Sequence, residues 1–409
     1  MSKPRLQFHW FLPTYGDSRY IVGGGHGLPA GAAAGSRPAT IDYLTQIARS
    51  AEQLGYVGAL TPTGAWCEDA WIVDAMLAEA TETFKFLIAI RPGLISPTLA
   101  AQMAASFQRY SQGRLLLNVV VGGEPHEQRS YGDHSAKEER YERADEFLHI
   151  LRELWTRTNV TFHGQYYQIE NATLPSRPDP LPPLYIGGSS SGAGPVTAKH
   201  IDVYLTWGEP TPAVVEKITR IRRLAAQEGR QVRFGIRLHV ITRDTAEAAW
   251  AEANRLLSAL DPETIRSVQA GLAKSEGEGQ KRMLALHQGS TLNLEIEPNL
   301  WAGFGLVRGG AGTALVGSHA EVAEKIKAYA ELGIEEFILS GVPHLEEAYW
   351  FAEGVLPRLK AAGLWRHPQQ PEVEGGDGLE AETEALVDIP FSPAASRRAS
   401  VVSSLRQTA

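Results

Sequence analysis

A single cysteine, Cys67, in 409 residues excludes an intrachain disulfide and fits a reducing compartment. Basic excess is missing too: 39 Lys and Arg stand against 47 Asp and Glu, so a net charge of −8 leaves no footprint for a nucleic-acid backbone. No apolar run reaches the ~18 residues that a membrane span requires. The opening MSKPRLQFHW lacks the apolar stretch of a secretory signal, and the expected location is the cytoplasm. There, the glycosylation-type triplets at 159–161 and 171–173 are chance matches. Several chemical templates are absent as well. There is no Walker A motif, no HExxH and no cysteine–histidine metal spacing, so no metal is expected. Gly23, Gly24 and Gly25 begin a dinucleotide fingerprint that Leu28 leaves incomplete.

What is present is an ordinary globular composition, 43% hydrophobic and 21% charged, with short β-branched runs alternating with amphipathic stretches. Eight segments read as near-continuously apolar strands: 6–12, 57–61, 84–90, 114–121, 183–187, 202–207, 232–242 and 336–340. Helical periodicity falls between them over 40–54, 69–81, 98–111, 137–156, 212–229, 246–260 and 319–332. The α/β pattern predicts a (β/α)₈ TIM barrel across residues 1–365. A strand pair at 160–170 stands outside the repeat. So do a small-residue loop at 21–39, a long insertion at 261–312 suited to a lid, and a low-complexity tail at 366–409 that reads as disordered.

A barrel enzyme works at the C-terminal ends of its strands, so polar residues there are the candidates. Arg237 and His239 are two apart in FGIRLHV and share a strand face. They are either a surface arginine beside a core histidine or an anion-binding pair, because an interior guanidinium needs an anionic partner. Cys67 is either a small core hydrophobe or a thiol whose pKa the following helix N-terminus lowers. Trp207 ends a strand, His344 follows one, and Arg308 lies in the glycine-rich VRGGAG. The stretch LYIGGSSSGAG (184–194) reads as strand, turn and helix start, a phosphate cradle of backbone N–H groups. It also matches G-x-S-x-G at Gly188, Ser190 and Gly192, the nucleophile elbow of serine hydrolases, although an eight-strand barrel favours phosphate.

Nine segments together resemble a known family: WFLPTYGD (10–17), CEDAW (67–71), AIRPGLISPT (89–98), GRLLLNVV (113–120), YIGGSS (185–190), YLTWGEP (204–210), FGIRLHVI (234–241), NLWAGFGLVRGGAGTALVG (299–317) and SGVPHLEEAY (340–349). Their order and content are similar to the bacterial-luciferase-like flavin monooxygenases, and closely to the FMNH₂-dependent alkanesulfonate monooxygenases. The resemblance implies a two-component system. A separate NAD(P)H-dependent FMN reductase supplies reduced FMN, and with O₂ an organosulfonate is cleaved to sulfite and an aldehyde. It further implies that Asn118, Tyr141, Ser189 and Ser190 hold the flavin, the serines at its phosphate. Arg237 and Arg308 would bind the sulfonate or support the oxygen chemistry, with His239 a polar or proton-transfer group beside them. Cys67, Trp207 and His344 would line the same pocket, and the chain would form a homo-oligomer. Three positions depart from the family pattern: Tyr15 replaces the histidine of HGD, Val342 replaces a tyrosine before PHLEE, and Val121 replaces a threonine. Loss of the phenol at 342 implies an apolar, roomier pocket wall. The substrate could then be a sulfone, a larger sulfonate or another heteroatom compound, or the chain could be a flavin-binding relative with little turnover.

Overall fold

The architecture comes from a computed structural model, of which residues 5–21 and 36–370 are described. Eight parallel strands close into a barrel: β1 (Gln7–Phe11), β2 (Gly58–Thr61), β3 (Lys85–Ile90), β4 (Leu115–Val119), β5 (Leu184–Gly187), β6 (Val203–Trp207), β7 (Arg233–Arg243) and β8 (Glu336–Ser340). Each pairs with the next, and β8 returns to β1 in the register Gln7↔Glu336 to His9↔Ile338. These are the eight strands expected from the sequence, with ends moved by a residue or two.

Helices cover the outside, and their starts are written locally. Thr40, Asp69 and Ser96 accept from backbone N–H groups three positions on, capping Ile41–Gln53, Ala70–Ala78 and Pro97–Tyr110. The strands look continuously apolar, yet each alternates in purpose. Phe8, Trp10, Phe86, Ile88, Leu117, Ile236 and Leu238 pack outward against the helices in the main core. A separate interior cluster contains Phe11, Leu87, Leu116, Tyr185, Leu205 and Ile338. A strand turns successive side chains to opposite faces, so His9, Asn118, Arg237 and His239 share the parity of the interior residues of their own strands.

Strand β7, with eleven residues, outgrows its neighbours. β6 pairs only as far as Trp207↔Arg237. From there a further parallel strand, Ala314–Ser318, takes over the same edge, pairing Ala314↔His239 through Ser318↔Arg243. Sequence periodicity misses this strand, which is five residues long and directly follows a glycine-rich turn. Two short antiparallel strands, Glu295–Glu297 and Leu300–Trp301, extend that edge. The expected outlying pair is present as Val160–His163 with Gln168–Ala172.

The 261–312 insertion contains helices Pro262–Leu272 and Glu278–His287 and a 3₁₀ turn, Gly303–Leu306. Leu294, Trp301, Phe304, Leu306 and Val307 bury a second apolar core with Ala249, Ala253 and Leu256 of the helix Ala246–Ser258. Residues 22–35 of the small-residue loop, and the expected tail from 371 on, lie outside the described residues. The boundary expected at 365 moves outward. Trp365 is buried, and the His367 Nε2 donates to the Gln53 carbonyl at 3.0 Å, so residues to 370 belong to the barrel unit.

Candidate active site

At the C-terminal mouth of the barrel a cavity is bounded by residues from all eight strands, the loops after them and the insertion. Arg237 reaches it from β7. Its Nη2 donates to Ser340 Oγ at 2.8 Å, its Nη1 donates to the Leu238 carbonyl at 2.5 Å, and the guanidinium carbon stands 4.6 Å from the Phe11 ring centre. Arg308 enters from the insertion, donates to the Tyr15 hydroxyl and lies over that ring at 4.8 Å. Among the described residues no carboxylate pairs with either group. An interior arginine requires an anionic partner, and the described residues supply none. Burial, with Arg308 as a like charge, pulls the Arg237 pKa down to about 9. Two buried guanidinium groups of this kind have the chemistry to meet an anion.

His239 is fully engaged. Its Nε2 faces the Ala311 carbonyl at 3.1 Å, so that nitrogen carries the hydrogen. Its Nδ1 lies 2.7 Å from Ser340 Oγ and accepts from it, and the ring stacks on Phe304 at 4.0 Å. Burial, then Arg237 and Arg308, holds its pKa well below the usual imidazole range. The ring is therefore neutral and saturated, which makes His239 the orienting group for Ser340 and Arg237 rather than a ready proton carrier.

Across the mouth, Ser190 Oγ donates to the Tyr141 hydroxyl at 2.7 Å, and Arg220 donates to the Ser190 carbonyl at 3.1 Å. Ser189, Ser190, Tyr141 and Lys137 line this end of the cavity. No histidine serves Ser190 among the described contacts, so the serine-hydrolase elbow is set aside. Asn118 lies deeper, nearly buried, and its Oδ1 has no partner. An orphan acceptor of this kind is costly unless a ligand N–H meets it.

Two expected wall residues are displaced. Cys67 is not in the cavity wall. Its thiol points to the Pro62 and Gly64 carbonyls at 3.7 and 3.5 Å. Burial pushes its pKa up to about 12, opposite to the lowering expected from the helix start, because loss of water outweighs the helix end. His344 stands one layer back, its ring centre 6.1 Å from that of the wall residue Phe11. Trp207 does line the cavity. Val342 packs with Ile21, Ile241 and Phe304 in the second core, so the roomier wall expected there is not formed by this residue. Tyr15, Asp17, Ser340 and Gln280 were not read as site residues. Tyr15 and Asp17 lie within the quoted WFLPTYGD, and Ser340 opens SGVPHLEE, but Tyr15 meets Arg308 across 293 residues, Asp17 meets His344 across 327 and Ser340 meets Arg237 across 103.

The insertion forms the cavity roof through residues 277–280 and 308–311. Gln280 Oε1 accepts from the Gly310 N–H at 2.9 Å, and Gly310 adopts φ +91°, a left-handed backbone that favours glycine. Arg282 fixes the roof to the barrel through Glu209 at 2.8 and 3.2 Å. Ser275 Oγ donates to Glu124 at 2.5 Å.

Residues 6–336 match the family model described as luciferase-like monooxygenase. The chain belongs to that family. Solved structures with the same fold include the riboflavin lyase RcaE with modified FMN and riboflavin, at TM-score 0.75, 20% identity and coverage of 90% of this chain and 94% of that one. The long-chain alkane monooxygenase LadA follows at TM-score 0.72, 18% identity and coverage of 91% and 94%. DmoA from Hyphomicrobium sulfonivorans has TM-score 0.68, 18% identity and coverage of 90% and 91%. Within the luciferase-like monooxygenase barrel, the uncompensated arginine pair is the chemical feature that sets this chain's mouth apart from its own interior. Among the described residues no helix is long and apolar enough to cross a membrane.

Proposed function

We propose that this luciferase-like monooxygenase is an FMNH₂-dependent enzyme that uses O₂ to cleave the carbon–sulfur bond of an organosulfonate, releasing sulfite and an aldehyde. The observation that carries the reading is the pair of buried guanidinium groups, Arg237 and Arg308, with no carboxylate on either among the described residues. A sulfonate has the charge and the oxygen geometry to meet a fork held this rigidly.

The residues across the mouth fit a flavin mononucleotide. Ser189 and Ser190, with Lys137 beside them, would hold its phosphate. Tyr141 would flank it, and the unpartnered Asn118 Oδ1 would accept from a ring N–H. FMN in the riboflavin lyase of the same fold supports this class of cofactor. Bound reduced FMN would supply the activation of O₂; the rest falls to the chain. Arg237, braced by Ser340, Leu238 and Phe11, would orient the sulfonate head, with Arg308 neutralising its remaining charge. Trp207 and Leu205 would border the organic part, and the 261–312 roof would act as a lid that excludes water. A separate NAD(P)H-dependent reductase would deliver the reduced flavin in the cytoplasm. Exposed Ile72 and Met76, one turn apart on the same helix, offer an apolar strip for the expected homo-oligomer.

The test is sulfite release from a panel of linear, branched and aromatic sulfonates, supplied with FMN, NADH and a flavin reductase. Sulfite stoichiometric with the aldehyde supports the reading. Oxygenated product from sulfones but no sulfite from any sulfonate would move the substrate to that class.

A further inference from the structure

Two guanidinium groups in one cavity wall repel each other. With no carboxylate on either among the described residues, something other than an ion pair must keep them there. Arg237 has its fixture on the barrel itself, in Ser340 Oγ and the Leu238 carbonyl. Arg308 comes from the insertion, and the backbone around it is well secured. Gln280 Oε1 accepts from the Gly310 N–H at 2.9 Å, His239 Nε2 donates to the Ala311 carbonyl at 3.1 Å, and Thr313 Oγ1 donates to the Gly208 carbonyl at 2.7 Å. None of these bonds touches the Arg308 side chain, and a long arginine on a fixed backbone keeps its own rotamer freedom. The two carboxylates in the cavity wall do not hold it either. Glu124 is tied to Ser275, and the exposed Glu278 forms no ion pair with Arg308 among the described residues.

Tyr15 is what the guanidinium meets. Arg308 Nη2 donates to the Tyr15 hydroxyl, and the guanidinium carbon lies 4.8 Å from the centre of the ring. One side chain offers both an acceptor and a π face, two neutral ways of stabilising a cation. The phenol is itself firmly placed. It is 8% exposed and wedged among Phe11, Trp66 and His344, with ring centres at 6.3, 5.3 and 6.5 Å. Its backbone lies in a tight turn, in which the Gly16 N–H donates to the Pro13 carbonyl at 2.9 Å and Gly16 adopts φ +101°. Two residues on, Asp17 accepts from the His344 N–H at 2.7 Å and the Tyr43 hydroxyl at 2.6 Å, which ties the turn to two helices. Burial raises the Tyr15 pKa despite the arginine beside it, so the phenol stays neutral.

We infer that Tyr15 is the positioning residue of the anion site: its hydroxyl and ring hold the Arg308 guanidinium in the cavity wall with Arg237, and its contribution to anion binding passes through Arg308. The physical reason lies in what a neutral partner leaves behind. A carboxylate in the same place would hold the arginine more tightly, but it would cancel the charge that an anion has to meet. A histidine there would be shorter and could itself become a cation. The phenol fixes the group and leaves its charge uncancelled. Only the identity of the anion rests on the sulfonate reading; the contact between Tyr15 and Arg308 does not depend on it.

Two measurements on the full-length, flavin-free protein test the assignment. In the first, arginine modification by phenylglyoxal is followed residue by residue through peptide mass spectrometry. Both Arg237 and Arg308 should react slowly in the wild type. Tyr15→Phe keeps the ring and its packing, whereas Tyr15→Leu keeps neither contact. Arg308 should react about tenfold faster in the first and about 50-fold faster in the second, with Arg237 within about threefold of wild type. Equal acceleration at both arginines would make Tyr15 a general support of the barrel mouth, and no acceleration at Arg308 would leave it without a role there. Either result overturns the proposal. In the second measurement, hexanesulfonate binding is titrated calorimetrically for wild type, Tyr15→Phe, Arg308→Met and the double variant. Tyr15→Phe should weaken binding about tenfold when Arg308 is present and less than about twofold on the Arg308→Met background, because nothing remains for the phenol to position. Full additivity would overturn the assignment. If hexanesulfonate does not bind the wild type, the sulfonate reading fails, and the modification rates alone decide the role of Tyr15.

Discussion

Strand β7 carries Arg233 and Arg237, four residues apart and on the same face, and the two arginines meet opposite fates. Arg233, at the N-terminal end, pairs with Glu336. That carboxylate also takes the Tyr185 hydroxyl at 2.9 Å and stands 3.2 Å from His9 Nε2. Burial would raise the pKa of Glu336, but His9 and Arg233 hold it below the usual range, so this end of the interior is a neutralised, closed plug. Arg237, at the other end, has a serine, a carbonyl and an aromatic face, and the charge that acts on it most is the cation Arg308. The same strand thus commits one arginine to an ion pair and leaves the other in the cavity wall with no carboxylate partner among the described residues. That polarity matches barrel enzymes in general, in which the bottom face stabilises and the top face reacts.

Four measurements would break or sharpen this contrast. The largest effect is expected from Arg237→Lys. Lysine keeps a charge but not the fork that Ser340 and the Leu238 carbonyl position, and a displacement near 1 Å costs about 100-fold in rate. Sulfite production should fall by that factor while FMN still binds; near-normal yield would show that Arg237 serves only as a charge. Next comes Glu336→Gln, which strands Arg233 and His9 and should lower stability by about 2–3 kcal/mol, less than for a wholly buried pair because Arg233 reaches solvent. Denaturant unfolding reads this, and kcat should hold. A variant as stable as wild type but catalytically dead would reverse the roles of the two ends.

Replacing Ser189 and Ser190 together with alanine should weaken FMN binding by about 2 kcal/mol through lost hydrogen bonds to the phosphate. An unchanged flavin titration would remove the serines from that role. The smallest effect is set by pH. Arg237 loses its proton near pH 9 in the free protein, so sulfonate affinity should drop roughly tenfold between pH 8 and pH 10. Affinity at the plug end has no counterpart. Flat binding over that interval would mean that Arg308 alone carries the anion.

Much of this was legible before any coordinates. Near-continuous apolar runs identified all eight barrel strands, because buried parallel strands need apolar side chains on both faces. The spacing of Arg237 and His239 put them on one face, and LYIGGSSSGAG marked the turn that borders the cavity. The strand Ala314–Ser318 was not legible, since only the overhang of β7 makes a partner edge for it. The fate of Cys67 was misread for a related reason. The helix capped by Asp69, two residues beyond Cys67, is a local signal, whereas the burial that outweighs it is assembled from elsewhere in the fold.

The sequence by itself determined the strand count, the alternation that divides each strand between helix-facing and interior residues, and the chemical types gathered at the mouth. Those follow from periods of two and 3.6 residues, which are local. The tertiary structure alone decided which charges are cancelled. Glu336 reaches Arg233 across 103 residues, Asp17 reaches His344 across 327, and among the described residues nothing carboxylic reaches Arg237 or Arg308. Whether a buried cation is a structural ion pair or a binding site depends on the presence of that distant partner, and closure of the barrel is what supplies or withholds it.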